Sequence, residues 1–189
     1  CLPDVRCNEE LLRTIAGVAG HGVWSHLLFV VIGTMLTVVV QSSSATVAIT
    51  QTMVFAGWID FPSACAIVLG ENIGTTITAQ LASIGTSTNA RRAAMAHTMF
   101  NVFGVVWVSA VFPLFLKMVD AMMPGTIIGA HVEPLAVAAG LALFHTMFNS
   151  CNTFILIWFV PQFANAVEKM VRGRQGQLGD EPYRLKYMA

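Results

Sequence analysis

The feature that most constrains this chain is the near absence of charge from its first half. Between Ala16 and Ala90 the only charged residues are Asp60 and Glu71, and there is no lysine or arginine. A soluble domain carries about 25% charged residues, whereas here 11% of 189 residues are charged and 56% are hydrophobic. Apolar runs approach the roughly 20 residues that one crossing of a bilayer needs. The fold class expected is therefore an all-α membrane protein. The net charge is zero, so nothing draws nucleic acid to the chain electrostatically. The four cysteines are too few for a disulfide scaffold. Cys65 and Cys151 read as small thiols within apolar segments, and Cys1 and Cys7 as free thiols with pairing as the alternative.

Taken in order, residues 1–20 read as an interfacial segment, with Leu11, Leu12, Ile15 and Val18 at helical spacing. Residues 21–160 form a transmembrane region. Its first apolar run, His21 to Val40, ends in Gln41-Ser42-Ser43-Ser44-Ala45-Thr46, and Val47 to Trp58 is apolar again but too short to cross alone. Residues 33–58 thus read as a helical hairpin that turns back at the serines, a re-entrant element tolerated only where protein or water covers it. Asp60 and Pro62 start the next element. Gly70-Glu71-Asn72-Ile73-Gly74-Thr75-Thr76 then interrupts an apolar segment, so residues 62–85 read as one broken transmembrane helix. Crossings are expected over 93–118 and 135–160, the second stopped by Pro161, followed by a surface helix and polar tail over 161–189. Arg91 and Arg92 fall at one end of these crossings, with Lys169, Arg172 and Arg174 two crossings later. By the bias of cytoplasmic loops toward Lys and Arg, that end is cytoplasmic. Counting back puts Arg6 and Arg13 on the same side, so both termini of a multi-pass cell-membrane protein are expected in the cytoplasm.

The two polar interruptions are the functional candidates. Hydrogen-bonding side chains inside hydrophobic segments are costly unless they face protein, water or a polar solute, and paired interruptions are the sequence mark of transporters with discontinuous helices. For any single Ser or Thr the plain alternative is a bond to a backbone carbonyl or a neighbouring helix. Glu71 is harder to place: an ionised carboxylate at mid-membrane costs roughly 2.5 to 3.5 kcal/mol, so it must be protonated, paired or cation-bound. An ion-binding role and a structural or gating role both stand. The pentapeptide His-Thr-Met-Phe-Asn occurs twice, at His97 to Asn101 and His145 to Asn149, and reads as helix-to-helix hydrogen bonding rather than ion handling. No G-x-S-x-G or H-E-x-x-H motif is present, so an enzyme is not expected.

Gln41-Ser42-Ser43-Ser44, followed by Gly-x-Asn-Ile-Gly-Thr-Thr at Gly70 to Thr76, resembles the type II sodium-dependent phosphate cotransporter family in its bacterial branch. The likeness extends to Asn89-Ala90-Arg91-Arg92 and to the first His-Thr-Met-Phe-Asn. It implies two inverted copies of the glutamine-serine hairpin with phosphate and sodium bound between them. Only one copy stands in this sequence, and it resembles the second. The expected partner is therefore a second repeat, either the other half of a longer chain or a second subunit. The implied function is sodium-coupled import of inorganic phosphate by alternating access. A channel, a non-transporting membrane subunit or a carrier of another oxyanion is the alternative. The chemistry is consistent with phosphate: an anion of acceptors is matched by the donors of Gln41, Ser42, Ser43 and Ser44 and by free N–H groups at a helix N-terminus. Sodium, as coupling ion, is matched by the oxygens of Thr46, Asn72, Thr75, Thr76 and Thr78. No other metal or cofactor is expected.

Overall fold

The computed structural model describes residues 22–125, 127, 128 and 133–172. The interfacial segment and the polar tail expected at the two ends lie outside the described residues, as do Cys1, Cys7, Arg6, Arg13 and Arg174. The described residues are helical, without strands: α1 Val23–Val40, α2 Ser43–Phe55, α3 Phe61–Ala82, α4 Thr88–Ala110, α5 Phe112–Met122, α6 Pro134–Leu156, a short 3₁₀ turn Ile157–Phe159, and α7 Val160–Met170. Three stretches are long and apolar enough to cross a membrane: Val23–Val40, Thr88–Ala110 and Leu135–Met170.

Polar residues set the helix starts. Ser42, Asp60 and Ser87 cap α2, α3 and α4, each side chain accepting from the N–H three residues on, which satisfies a donor that the helix itself leaves free. Prolines set two of the interruptions. Pro113 has no N–H for the helix ladder and clashes with the carbonyl four residues back, so the crossing expected over 93–118 divides at Val111 into α4 and α5. Pro161 acts the same way, and the crossing expected over 135–160 ends at Leu156 in a 3₁₀ turn before α7.

The expected break over 62–85 is absent, because α3 runs unbroken for 22 residues from Phe61 to Ala82. Its glycines serve close packing instead. A Cβ on Gly70 would fall on the Val30 carbonyl of α1, one on Gly33 of α1 would fall on the Ile67 carbonyl of α3, and one on Gly74 would lie 2.7 Å from Thr34 O. Two backbones meet here, as small-x-x-x-small spacing allows in membrane helices. Thr34 Oγ1 fastens the seam by donating to Gly70 O at 3.0 Å as well as to its own Val30 O at 2.9 Å. The expected hairpin likewise differs in extent. Its first arm is all of α1, starting at Val23 rather than near Gly33, because Thr37 bonds back to the Gly33 carbonyl and nothing interrupts the helix. The second arm, α2, has 13 residues, about 20 Å at 1.5 Å per residue, which is short of a crossing.

The remaining helices close around α3, whose residues from Ser63 to Glu71 are all buried. Phe115 of α5 stacks edge-on against Phe144 of α6 at 5.3 Å. Asn152 of α6 accepts from Trp107 Nε1 at 3.1 Å and donates to Phe100 O at 2.9 Å, in space that Gly104 leaves open. Asn152→Ala removes both bonds from a fully buried position and leaves Trp107 Nε1 without its partner, and is expected to cost about 1–3 kcal/mol, read as a lower unfolding midpoint in detergent. Arg92 reaches across to α7, with Nε donating to Val171 O at 3.3 Å and the guanidinium 3.6 Å from Glu168. The start of α4 and the end of α7 therefore share one end of the bundle.

Candidate functional site

The corner between α1 and α2 is sharp. Gln41 is the one non-glycine residue with positive φ among the described residues, at φ 55° and ψ 23°, and its N–H closes the last turn of α1 on Thr37 O at 2.7 Å. Ser42, in extended conformation, then caps α2. Intrahelical bonding begins with Thr46 N–H to Ser42 O, so the N–H groups of Ser43 and Ser44 stay free as donors at a positive helix end.

Beside this corner lies a crevice of about 200 Å³, bounded by four helices. Ser43 and Val47 face it from α2, and Glu71, Asn72 and Thr75 from α3. His97, Phe100 and Asn101 line it from α4, and His145 and Asn149 from α6. Two cross-links hold its frame: Gln51 of α2 donates to Ala138 O at 3.4 Å, and Gln80 of α3 donates to Thr98 Oγ1 at 2.7 Å.

The crevice has a chemical bias. Asn72, Asn101 and Asn149 each donate Nδ2 to the carbonyl four residues back, on Val68, His97 and His145, at 2.8, 3.0 and 3.0 Å. The Thr75 hydroxyl does the same toward Glu71 O at 2.7 Å. One N–H of each amide and the Thr75 proton are thereby spent on the helices' own backbones, which leaves the Thr75 oxygen and the asparagine amide oxygens as acceptors at the cavity. Asn72 is the hub, its Oδ1 lying 3.3 Å from His145 Nε2 and 3.5 Å from Asn149 Nδ2. Glu71 is 1% exposed. Its Oε1 accepts from Thr50 Oγ1 at 2.6 Å, while Oε2 is buried without a hydrogen-bond partner among the described residues.

The structure brings together some of the residues singled out from sequence and separates others. Of the four phosphate candidates, Ser43 lines the crevice; Gln41 and Ser44 are exposed and Ser42 half-buried on the corner. Ser42 Oγ is occupied with Ala45 N and Ser44 Oγ, both at 3.4 Å. Of the sodium candidates, Asn72 and Thr75 line the crevice. Thr46 and Thr76 are buried away from it, bonded to Ser42 O at 2.7 Å and Ile73 O at 2.8 Å, and Thr78 bonds to Thr75 O at 2.8 Å. These three serve their own helices. His97, Asn101, His145 and Asn149 were not among the candidates, yet they line the cavity, and the repeated pentapeptide was their signal. The helix-to-helix bonding expected of it occurs for the second copy through Asn72 and for the first through Thr98, which accepts from Gln80.

An apolar all-α bundle with three helices long enough to cross a bilayer and a polar crevice among its helices has the architecture of a membrane protein. A family model, the Na+/Pi-cotransporter, matches residues 13–129, and the chain belongs to that family. Its relatives include an uncharacterised protein YqeW of Bacillus subtilis (strain 168), 35% identical over 163 residues, covering 85% of this chain and 48% of the relative. The putative inorganic phosphate export protein YjbB of Escherichia coli (strain K12) is 27% identical over 146 residues, covering 77% of this chain and 25% of the relative. The sodium-dependent phosphate transport protein 2A of Ovis aries is 37% identical over 87 residues, 44% of this chain and 14% of the relative. The chain thus spans about half or less of the length of these relatives. No solved structure matches.

Proposed function

We propose that this chain is the phosphate- and sodium-handling portion of a secondary carrier that imports inorganic phosphate down a sodium gradient by alternating access, with a second repeat completing the site. One observation carries the reading: Ser43, at a helix start rich in donors, shares a single crevice with the acceptor oxygens of Glu71, Asn72 and Thr75. Donors suit the anion and acceptors the cation. Among the described residues no lysine or arginine lines that crevice, so an entering phosphate meets no positive side chain of theirs. Two like unit charges about 7 Å apart repel by about 2 kcal/mol at an effective dielectric of about 20. A phosphate dianion beside the Glu71 carboxylate therefore depends on bound cations. Sodium binding and phosphate binding then favour each other reciprocally. The Arg91, Arg92, Lys169 and Arg172 end of the bundle is the cytoplasmic one by the Lys/Arg bias.

The test is uptake of labelled phosphate into proteoliposomes. An inward sodium gradient is expected to drive accumulation that collapses when choline replaces sodium. Flux indifferent to sodium would make the protein a channel. Net efflux against that gradient would give it the direction named for the Escherichia coli relative.

A further inference from the structure

We propose that Glu71 is itself a sodium ligand, its Oε2 supplying an anionic oxygen to a cation site on the α3 wall of the crevice. This deepens the sodium-coupled reading above. Oε1 already has its partner in Thr50, and Oε2 is buried with none among the described residues. A buried carboxylate oxygen that stays ionised needs a donor or a cation. Neither neighbouring donor is bonded to Oε2: Asn72 Nδ2 donates to Val68 O, and the Thr75 hydroxyl to the carbonyl of Glu71 itself. Thr75 Oγ1 keeps its lone pairs on the same wall of the same cavity, and beside it lies Asn72 Oδ1, which His145 and Asn149 approach at 3.3 and 3.5 Å. A cluster of oxygens with one negative charge is a site for a hard monovalent cation. His97 and His145 are the other titratable groups of the crevice, and neither is bonded to the carboxylate. Thr50 sets the orientation: by holding Oε1 it fixes the plane of the carboxylate and leaves Oε2 for the ion.

The site is tested on the wild-type chain in detergent, without phosphate, so that the outcome does not depend on phosphate recognition. A hydrophobic carbodiimide modifies Glu71 when no cation occupies it, and labelling is followed by mass spectrometry. The unoccupied fraction falls as 1/(1 + [L]/Kd), so sodium chloride at about ten times its dissociation constant is expected to slow labelling about tenfold relative to choline chloride. Equal rates in the two salts would overturn the assignment. A second measurement does not need the reagent: sodium is expected to raise the unfolding midpoint of the wild type, and Glu71→Gln, which keeps the size and the acceptor for Thr50, is expected to lose that rise. A sodium-specific rise that survives in Glu71→Gln places the ion elsewhere. If protection by sodium holds while labelled phosphate is not transported, the cation site stands and the transport reading falls.

Discussion

Ser43→Ala is expected to reduce phosphate binding and sodium-driven uptake by roughly 10- to 100-fold while leaving the unfolding midpoint close to that of the wild type. The hydroxyl is the one member of the serine run that lines the crevice, and a hydrogen bond to a charged partner is worth about 1.5–3 kcal/mol, which converts to that range at 1.4 kcal/mol per tenfold. Among the described residues its hydroxyl makes no hydrogen bond that the fold depends on. The neighbouring Ser42 Oγ, by contrast, caps α2, so Ser42→Ala is expected to lower stability along with activity. The discriminating measurement is phosphate binding by calorimetry beside a thermal melt of the same preparation. Unchanged uptake in Ser43→Ala would remove the serine from the phosphate site.

The second large effect lies far from any ligand. Gly70→Val is expected to prevent stable folding, with a loss above about 3 kcal/mol, the upper end of ordinary overpacking. The added side chain meets the Val30 carbonyl, a backbone atom that cannot swing aside. Gly57→Ala is the control: its φ of 71° is strained for a side chain, but nothing among the described residues lies within 4 Å, so a cost of only about 1–2 kcal/mol is expected. Detergent melts of the two variants separate a steric seam from simple loss of a flexible residue. Equal melts would mean that the α1–α3 contact is looser than drawn.

These glycines also mark where the sequence could be read and where it could not. The turn at Gln41–Ser42 was legible because five polar side chains in six residues leave an apolar segment no other explanation. Gly70-Glu71-Asn72-Ile73-Gly74 was not, since a glycine-rich polar stretch looks the same whether a helix breaks or another helix lies against it. The deciding fact is the position of Val30 and Thr34, which no local pattern carries. The hydroxyl residues divide for a similar reason. Asn72 and Thr75, one turn apart, share the crevice wall. Thr46, Thr76 and Thr78 make the same bonds to their own helices but lie outside the crevice lining, and only the packing tells the two uses apart. The two histidine–asparagine repeats were visible as a motif, but their meeting around one cavity depends on α4 and α6 both facing α3.

The seam between α1 and α3 bears on how such a protein moves. Where side chains interdigitate, helices can shear by small rotamer changes; where main chain lies on main chain at Gly33 and Gly70, sliding requires the two to part first. The pair is therefore a single stiff beam, and any rocking that shows the cavity to one aqueous side and then the other has to bend at its ends, in the Gln41–Ser42 corner and the Ser83–Ser87 turn.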